Sequence, residues 1–351
     1  MDPDNLKRFG LMRPYVSGQA NLYPPKRVKR LQELMDTKAP RICILRGEGM
    51  GDVLMTTPTC AALKNAFPEP AHITYATNTR YLEGGLVKVL AHNPSVDEVI
   101  DRNQVDEGNY DLVINLHCPC VVYERQENPP INRIDLFAAH AGVKLVDKVP
   151  KYYLQPDEVR WGKDFLARAG VKSTDKTILV HVFTTTTRRN LDSRTFKDAL
   201  MKLSNKGYKL VILSHKTDYP SSVVFSNIPN SVVFSEDVRK LAGIMINCDM
   251  VLCPDSAILH LAGTLGVPTV SVFGHTDPRA RINYYQNTVA LWPGQHYSCS
   301  PCWNEPCNLK LACYKAITTE MIVETCESKI GQAVKPTVQL PADNTIQIER
   351  I

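Results

Sequence analysis

Four groups of residues in this 351-residue chain have types and spacing suited to chemistry. In the first, Asp255 and Ser256 follow an apolar run, Asp249 to Cys253, and precede a helical pattern of Ile258, Leu259, Leu261, Ala262 and Leu265 that Gly266 ends. That order reads strand, turn, helix, and it sets the first amides of a helix where they can hold a phosphate. Val267 to Phe273 is a second apolar run ending at Gly274, so the segment is a βαβ unit. Its carboxyl-end loops, Asp255-Ser256 and Gly274-His275-Thr276-Asp277, lie where open parallel sheets bind ligands. Asp255 or Ser256 can equally be a plain helix N-cap, and His260 a satisfied core histidine. The second group, Gly47, Gly49 and Gly51, follows the run Arg41 to Arg46 and precedes a predicted helix over Val53 to Phe67. It permits close backbone approach to a phosphate or an acceptor, yet its letters do not make G-x-G-x-x-G. Third, Thr184, Thr185, Thr186 and Thr187 offer hydroxyls and amides to a diphosphate, or simply make a polar loop. Fourth, Cys299, Cys302, Cys307 and Cys313 have the spacing of a structural zinc site, with reduced thiols or a disulfide as the alternatives.

The elements that must carry these residues alternate in βα style. In the first half, strands are expected over His72 to Ala76, Val96 to Ile100 and Asp111 to Leu116, with a helix over Thr79 to Ala91. The loop after Leu116 is a candidate acceptor contact, and its Cys118 and Cys120, too close for an easy zinc pair, read as loop thiols. Pro150 to Gln155 reads as a linker. Beyond it come a helix over Glu158 to Ala169, strands over Thr177 to His181 and Val232 to Phe234, a helix over Val238 to Ile246 and a closing helix near Thr318 to Ile330. The expected organisation is a basic arm and helix over 1–40, α/β domains over 41–155 and 156–330, and an extended tail over 331–351.

Hydrophobic content of 44% and charged content of 22% are those of a soluble globular protein, with no run long enough to span a membrane and no apolar signal-peptide core. The expected compartment is the cytoplasm, where most of the eleven cysteines would be reduced or metal-bound. A net charge of +5 suits a phosphate-rich ligand or an anionic acceptor, and the basic arm is either a solvated face or a peripheral contact to an anionic surface such as the inner membrane. A nicotinamide dehydrogenase is disfavoured, because its dinucleotide fingerprint is missing.

The string CPDSAILHLAGTLGVPTVSVFGHTDP resembles the signature of the heptosyltransferase-like glycosyltransferases of family 9, and ILRGEGMGDVLMTTPTCAALKNAFP resembles that family's opening block. NPSVDEVI followed by YDLVINL is similar to a further pair of its strands, so the resemblance covers about residues 41 to 325 in blocks. It implies a GT-B fold, two Rossmann-like domains with parallel sheets facing across a cleft, the acceptor on the first and the nucleotide sugar on the second. The implied reaction is inverting transfer of a heptose or similar sugar to a hydroxyl, with ADP-heptose as donor and lipopolysaccharide core, a glycan or a lipid as acceptor. A protein side chain, a hydroxylated nucleic-acid base, or a nonenzymatic sugar- or nucleic-acid-binding role are the alternatives.

Asp52 falls on the position of the family's catalytic base. Asp255, Ser256, Ala257, His260, Gly274 and Thr276 fall on the donor site, with Ala257 where the family has glycine. Arg189 takes the place of a lysine that serves the leaving diphosphate, and Leu191 that of an aromatic residue. The single Asp-x-Asp, Asp2-Pro3-Asp4, sits in the arm, so no catalytic metal is expected.

Overall fold

The computed structural model describes residues 25–117, 130–184, 186–214, 225, 227–302, 307–332, 337–338 and 346–347. The chain divides into two compact units, Met1–Tyr152 with Arg279–Tyr284, and Tyr153–Pro278 with Tyr285–Ile351.

The first unit follows helix α1 (Pro25–Leu34) with β1 (Arg41–Leu45), α2 (Met50–Lys64), β2 (His72–Thr77), α3 (Gly85–Leu90), β3 (Glu98–Asp101), β4 (Leu112–Asn115) and α4 (Arg133–Ala141). Its sheet runs β3-β2-β1-β4, every pair parallel. A parallel sheet is covered on both faces, which is why β1 reads as an unbroken apolar run with Ile42, Cys43 and Ile44 fully buried. Helix α2 starts at Met50, three residues before the expected Val53, because Gly49 adopts a left-handed φ of 83° as N-cap and its carbonyl accepts from Val53. Gly51 and Asp52 therefore belong to the first helical turn. Pro58 inside α2 has no N–H to offer Leu54 four residues back, and the Thr57 hydroxyl bonds that carbonyl at 2.8 Å instead. The helix expected from Thr79 shrinks to Gly85–Leu90, since Asp101 holds Thr79 through its amide and hydroxyl, and Leu82 and Glu83 take positive φ. Arg279–Ile282 is a helical turn that joins this unit through Asn132 Nδ2, which donates to the Arg279 carbonyl, and through a bond from Tyr284 to Asp135.

The second unit comprises α5 (Pro156–Arg168), β5 (Thr177–His181), α6 (Ser193–Asn205), β6 (Lys209–Leu213), β7 (Ser231–Phe234), α7 (Val238–Ile246), β8 (Met250–Pro254), α8 (Ala257–Leu265), β9 (Thr269–Val272), β10 (Thr288–Leu291), α9 (Ala312–Lys315) and α10 (Thr319–Gly331). The sheet order is β10-β9-β8-β5-β6-β7, again all parallel. Strand β10 has no counterpart in the sequence reading; at the sheet edge only Leu291 of its four residues is buried, so the run is short and weakly apolar. Helices α5 and α7 meet at Gly162 and Gly243, where a Cβ on either would overlap the other helix's backbone. Beside that contact Asn247 donates to the carbonyls of Val159 (2.9 Å) and Gly243 (2.7 Å), and Arg239 pairs with Glu158. In the tail, β11 (Thr337–Val338) pairs antiparallel with β12 (Ile346–Gln347). Among the described residues no helix is long and apolar enough to cross a membrane.

Candidate active site

In the second sheet the order reverses between β5 and β8, which makes their carboxyl ends the topological switch point of an open α/β sheet. His181 ends β5, and Asp255 and Ser256 follow β8. The Ser256 hydroxyl lies 3.2 Å from His181 Nδ1 and caps α8 by accepting from the Ile258 amide. From the loop after β5, Arg189 Nη1 donates to the Asp255 carbonyl at 3.3 Å, and its Nε is 3.9 Å from Asp255 Oδ2. A cation thus stands beside the N-terminus of α8, where a helix favours negative charge. The cap foreseen for Ser256 is present, and the same hydroxyl meets His181.

The remaining donor candidates are placed around this centre. Ala257 is the first residue of α8, and His260, one turn on and buried, bonds the Tyr285 hydroxyl at 2.9 Å with the rings edge to face. The carbonyl of Gly274 accepts from Trp292 Nε1 and that of His275 from the Cys302 amide, so two loops buttress the turn after β9. Thr276 is buried beside them. Thr184 spends its hydroxyl within its own loop, on Asn190 and on the Thr186 backbone. Thr187 opens the single turn that carries Arg189, and Thr185 lies outside the described residues.

The first sheet has its own reversal, between β1 and β4. Arg46 leaves β1 there and His117 leaves β4, with Arg46 Nη1 3.1 Å from His117 Nδ1. Asp52, in the first turn of α2, is held on both oxygens: Oδ1 accepts from Arg133 Nη1 at 2.8 Å and Oδ2 from Arg46 Nη2. Burial alone would push its carboxyl up, yet Arg133, Arg46 and, behind them, Arg281 hold it far below the usual carboxylate range. Burial and then the Arg46 charge lower the pKa of His117. Gly47 lies under the Arg102 side chain, which pairs with Glu48.

Arg46, Arg133 and His181 escaped the sequence reading, while His117 opens the loop read as a candidate acceptor contact. For Arg46 and His181 a signal existed, since each is the polar residue that ends an apolar strand run. Arg133 had none, being 81 residues from the carboxylate it grips. The loop residues 118–129, with Cys118 and Cys120, lie outside the described residues.

The zinc expectation finds no support. Cys299, Cys302, Cys307 and Cys313 line one pocket with Arg188 and His275, but all four are free thiols, and among the described residues no group of three or more His, Cys, Asp or Glu side chains is arranged to hold a metal ion. Cys299 is exposed, and Cys307 Sγ turns back onto its own chain to accept from the Leu311 amide. Around these cysteines the Tyr297 hydroxyl bonds the Ala312 carbonyl, and Tyr314 is buried.

The sequence profile of glycosyltransferase family 9 (heptosyltransferase) matches residues 131–313, more than half of the chain. The chain belongs to glycosyltransferase family 9. It is accordingly a glycosyltransferase, and the matched span runs from Arg133 through Arg189 and Asp255 to the cysteine segment. Solved structures agree on the fold. A family 9 glycosyltransferase from Veillonella parvula is 19% identical, with a TM-score of 0.68 over 85% of this chain and 99% of its own. The Escherichia coli ADP-heptose lipopolysaccharide heptosyltransferase II is 12% identical, with a TM-score of 0.63 over 83% and 99%. The E. coli heptosyltransferase WaaC, solved with ADP, is 15% identical, with a TM-score of 0.56 over 82% and 99%. No curated protein sequence matches. The architecture is that of GT-B glycosyltransferases, α/β with two parallel sheets.

Proposed function

We propose that this family 9 enzyme transfers a heptose or similar sugar, with inversion, from a nucleoside-diphosphate sugar to a hydroxyl acceptor. The observation that carries the reading is the convergence of Arg189, His181 and the N-terminus of α8 at the switch point of the second sheet. That is the environment a departing diphosphate requires, fixed cationic and dipolar groups where charge develops. ADP-heptose is the first donor to consider, because the neighbours include an ADP-heptose lipopolysaccharide heptosyltransferase and another heptosyltransferase solved with ADP. Residues 156–330 would hold this donor, and 41–155 the acceptor.

Asp52 is the proposed base. A carboxylate gripped by two arginines is a weak base, but each oxygen keeps a second lone pair for the acceptor hydroxyl. As the acceptor oxygen bonds the anomeric carbon it becomes positively charged and its proton strongly acidic. A late proton transfer therefore needs little basicity, and the arginines ensure that the carboxylate is always ionised. Arg189 and the α8 amides take the leaving diphosphate, the part that other sugar transferases give to a metal, so the catalysis proposed is metal-independent. The acceptor proposed is a polar or anionic glycan or lipid, of which lipopolysaccharide core is the first to try.

Thermal melting with a panel of nucleotide sugars, ADP-heptose first, tests the reading. A ligand present at about a hundred times its Kd should stabilise the fold by roughly 2.7 kcal/mol. Absence of stabilisation by any nucleotide sugar or nucleoside diphosphate would overturn it.

A further inference from the structure

Tyr314 belongs to none of the motifs that single out the donor site, yet the fold delivers it there. It is the third residue of the short helix α9, with its backbone pinned by bonds from its amide to the Leu311 carbonyl and from the Ile317 amide to its own carbonyl. Its ring joins the second unit's apolar core and lies directly on Gly274, where any Cβ would overlap it, 6.4 Å from the His275 ring. The side chain is 3% exposed, and its hydroxyl has no hydrogen-bond partner among the described residues. Burial, and then the Asp255 carboxylate, hold that hydroxyl protonated, while Arg189 acts in the opposite sense, so the oxygen lies within electrostatic reach of both. The Thr276 hydroxyl, buried on the same turn after β9, is likewise without a partner.

An unpaired buried hydroxyl costs the folded state about 1–3 kcal/mol unless something else satisfies it. Two such hydroxyls, Thr276 on the turn after β9 and Tyr314 packed over that turn from α9, are unmatched hydrogen-bond donors at the carboxyl end of the second sheet, where Arg189 brings a positive charge and Asp255 a negative one. The ligand they suit is an anion with several acceptor oxygens. We propose that Tyr314 is a donor-binding residue whose hydroxyl donates to the diphosphate of the nucleotide sugar, alongside Arg189 and Thr276. The inference rests on the donor-site reading above and adds to it a residue whose ring packs on the donor loop at Gly274; separately, the Cys302 amide bonds the His275 carbonyl at 2.9 Å.

Tyr314→Phe removes one oxygen and leaves the ring on Gly274. Calorimetry of the full chain with ADP, UDP and GDP first establishes which nucleoside diphosphate the wild type binds; if none binds, the donor-site reading itself fails. With the nucleotide that binds, Tyr314→Phe should weaken affinity roughly tenfold or more, as expected for a hydrogen bond to a charged group, while the matching nucleoside binds as before. The ligand-free variant should melt no lower than wild type, because the deleted hydroxyl has no partner among the described residues to lose. That crossing of signs separates ligand binding from a structural role. Unchanged diphosphate affinity, equal loss for diphosphate and nucleoside, or a lower ligand-free melting temperature would each overturn the proposal.

Discussion

Arg133 Nη1 donates to Asp52 Oδ1 at 2.8 Å, joining the first residue of α4 to the first turn of α2. With Arg46 on the other oxygen, this contact gives the candidate base its character: always charged, weakly basic and fixed in direction.

Replacing Asp52 by Asn should reduce sugar transfer at least a hundredfold while leaving nucleotide affinity within about threefold, because a carboxylate in the proposed base role acts only as the acceptor proton leaves. Turnover at saturating donor and calorimetric binding of ADP measure the two effects. Retention of more than about a tenth of the wild-type rate would remove Asp52 from the base role.

The pH dependence follows from the direction of the Asp52 shift. Its folded pKa is depressed, so the stabilisation it confers is complete above the ordinary carboxylate value near 4 and is lost as pH falls through the lower folded value. Between about pH 5 and 8 this group contributes no acid limb to kcat/KM. Arg133→Gln removes one of the charges that oppose burial, so the acid limb should move to higher pH. A variant profile superimposable on that of the wild type would show that Arg133 does not control the group being read.

Arg189→Ala should lower kcat by roughly tenfold to a hundredfold, since the guanidinium is proposed to take the leaving diphosphate and donates to the Asp255 carbonyl. Arg189→Lys should recover part of the loss, keeping the charge and losing the second arm. Steady-state kinetics of both variants decides, and a loss confined to KM would place Arg189 in ground-state binding alone.

Gly162→Ala should destabilise the fold by about 1–3 kcal/mol, because the new methyl group meets the Gly243 backbone at the α5–α7 crossing. Gly331→Ala, with open space around the position, should change stability by less than about 0.5 kcal/mol. Urea unfolding of the pair measures the difference, and equal midpoints would mean that the helices separate without cost.

Among the described cysteines, alkylation by iodoacetamide should label exposed Cys299 first, and buried Cys60 and Cys253 only on unfolding. Burial pushes the Cys60 thiol up to about 12 and raises Cys253 further, so neither supplies thiolate at neutral pH. Peptide mapping by mass spectrometry reads the order. Slow labelling of Cys299 that a chelator accelerates would reinstate the zinc quartet.

Much of the fold was legible in the sequence, because a parallel strand buried on both faces must be an unbroken apolar run and a helix that covers it must be amphipathic. Arg41–Leu45, Thr177–His181 and Met250–Pro254 announced themselves in this way, as did the turn that starts α8 and the two-sheet α/β class. Element edges were less legible where one side chain overrules a local pattern. Asp101 holds Thr79 and cuts short the helix expected there, and Gly49 starts α2 early enough to take in Asp52. What tertiary structure alone decided is which distant groups meet. Strand order puts Arg46 next to His117 and His181 next to Ser256, while packing carries Arg133 to Asp52 and Tyr314 onto Gly274. Local propensity acts over a few residues, whereas these pairs are separated by 40 to 81 positions and are joined only once the sheets have closed on their cores.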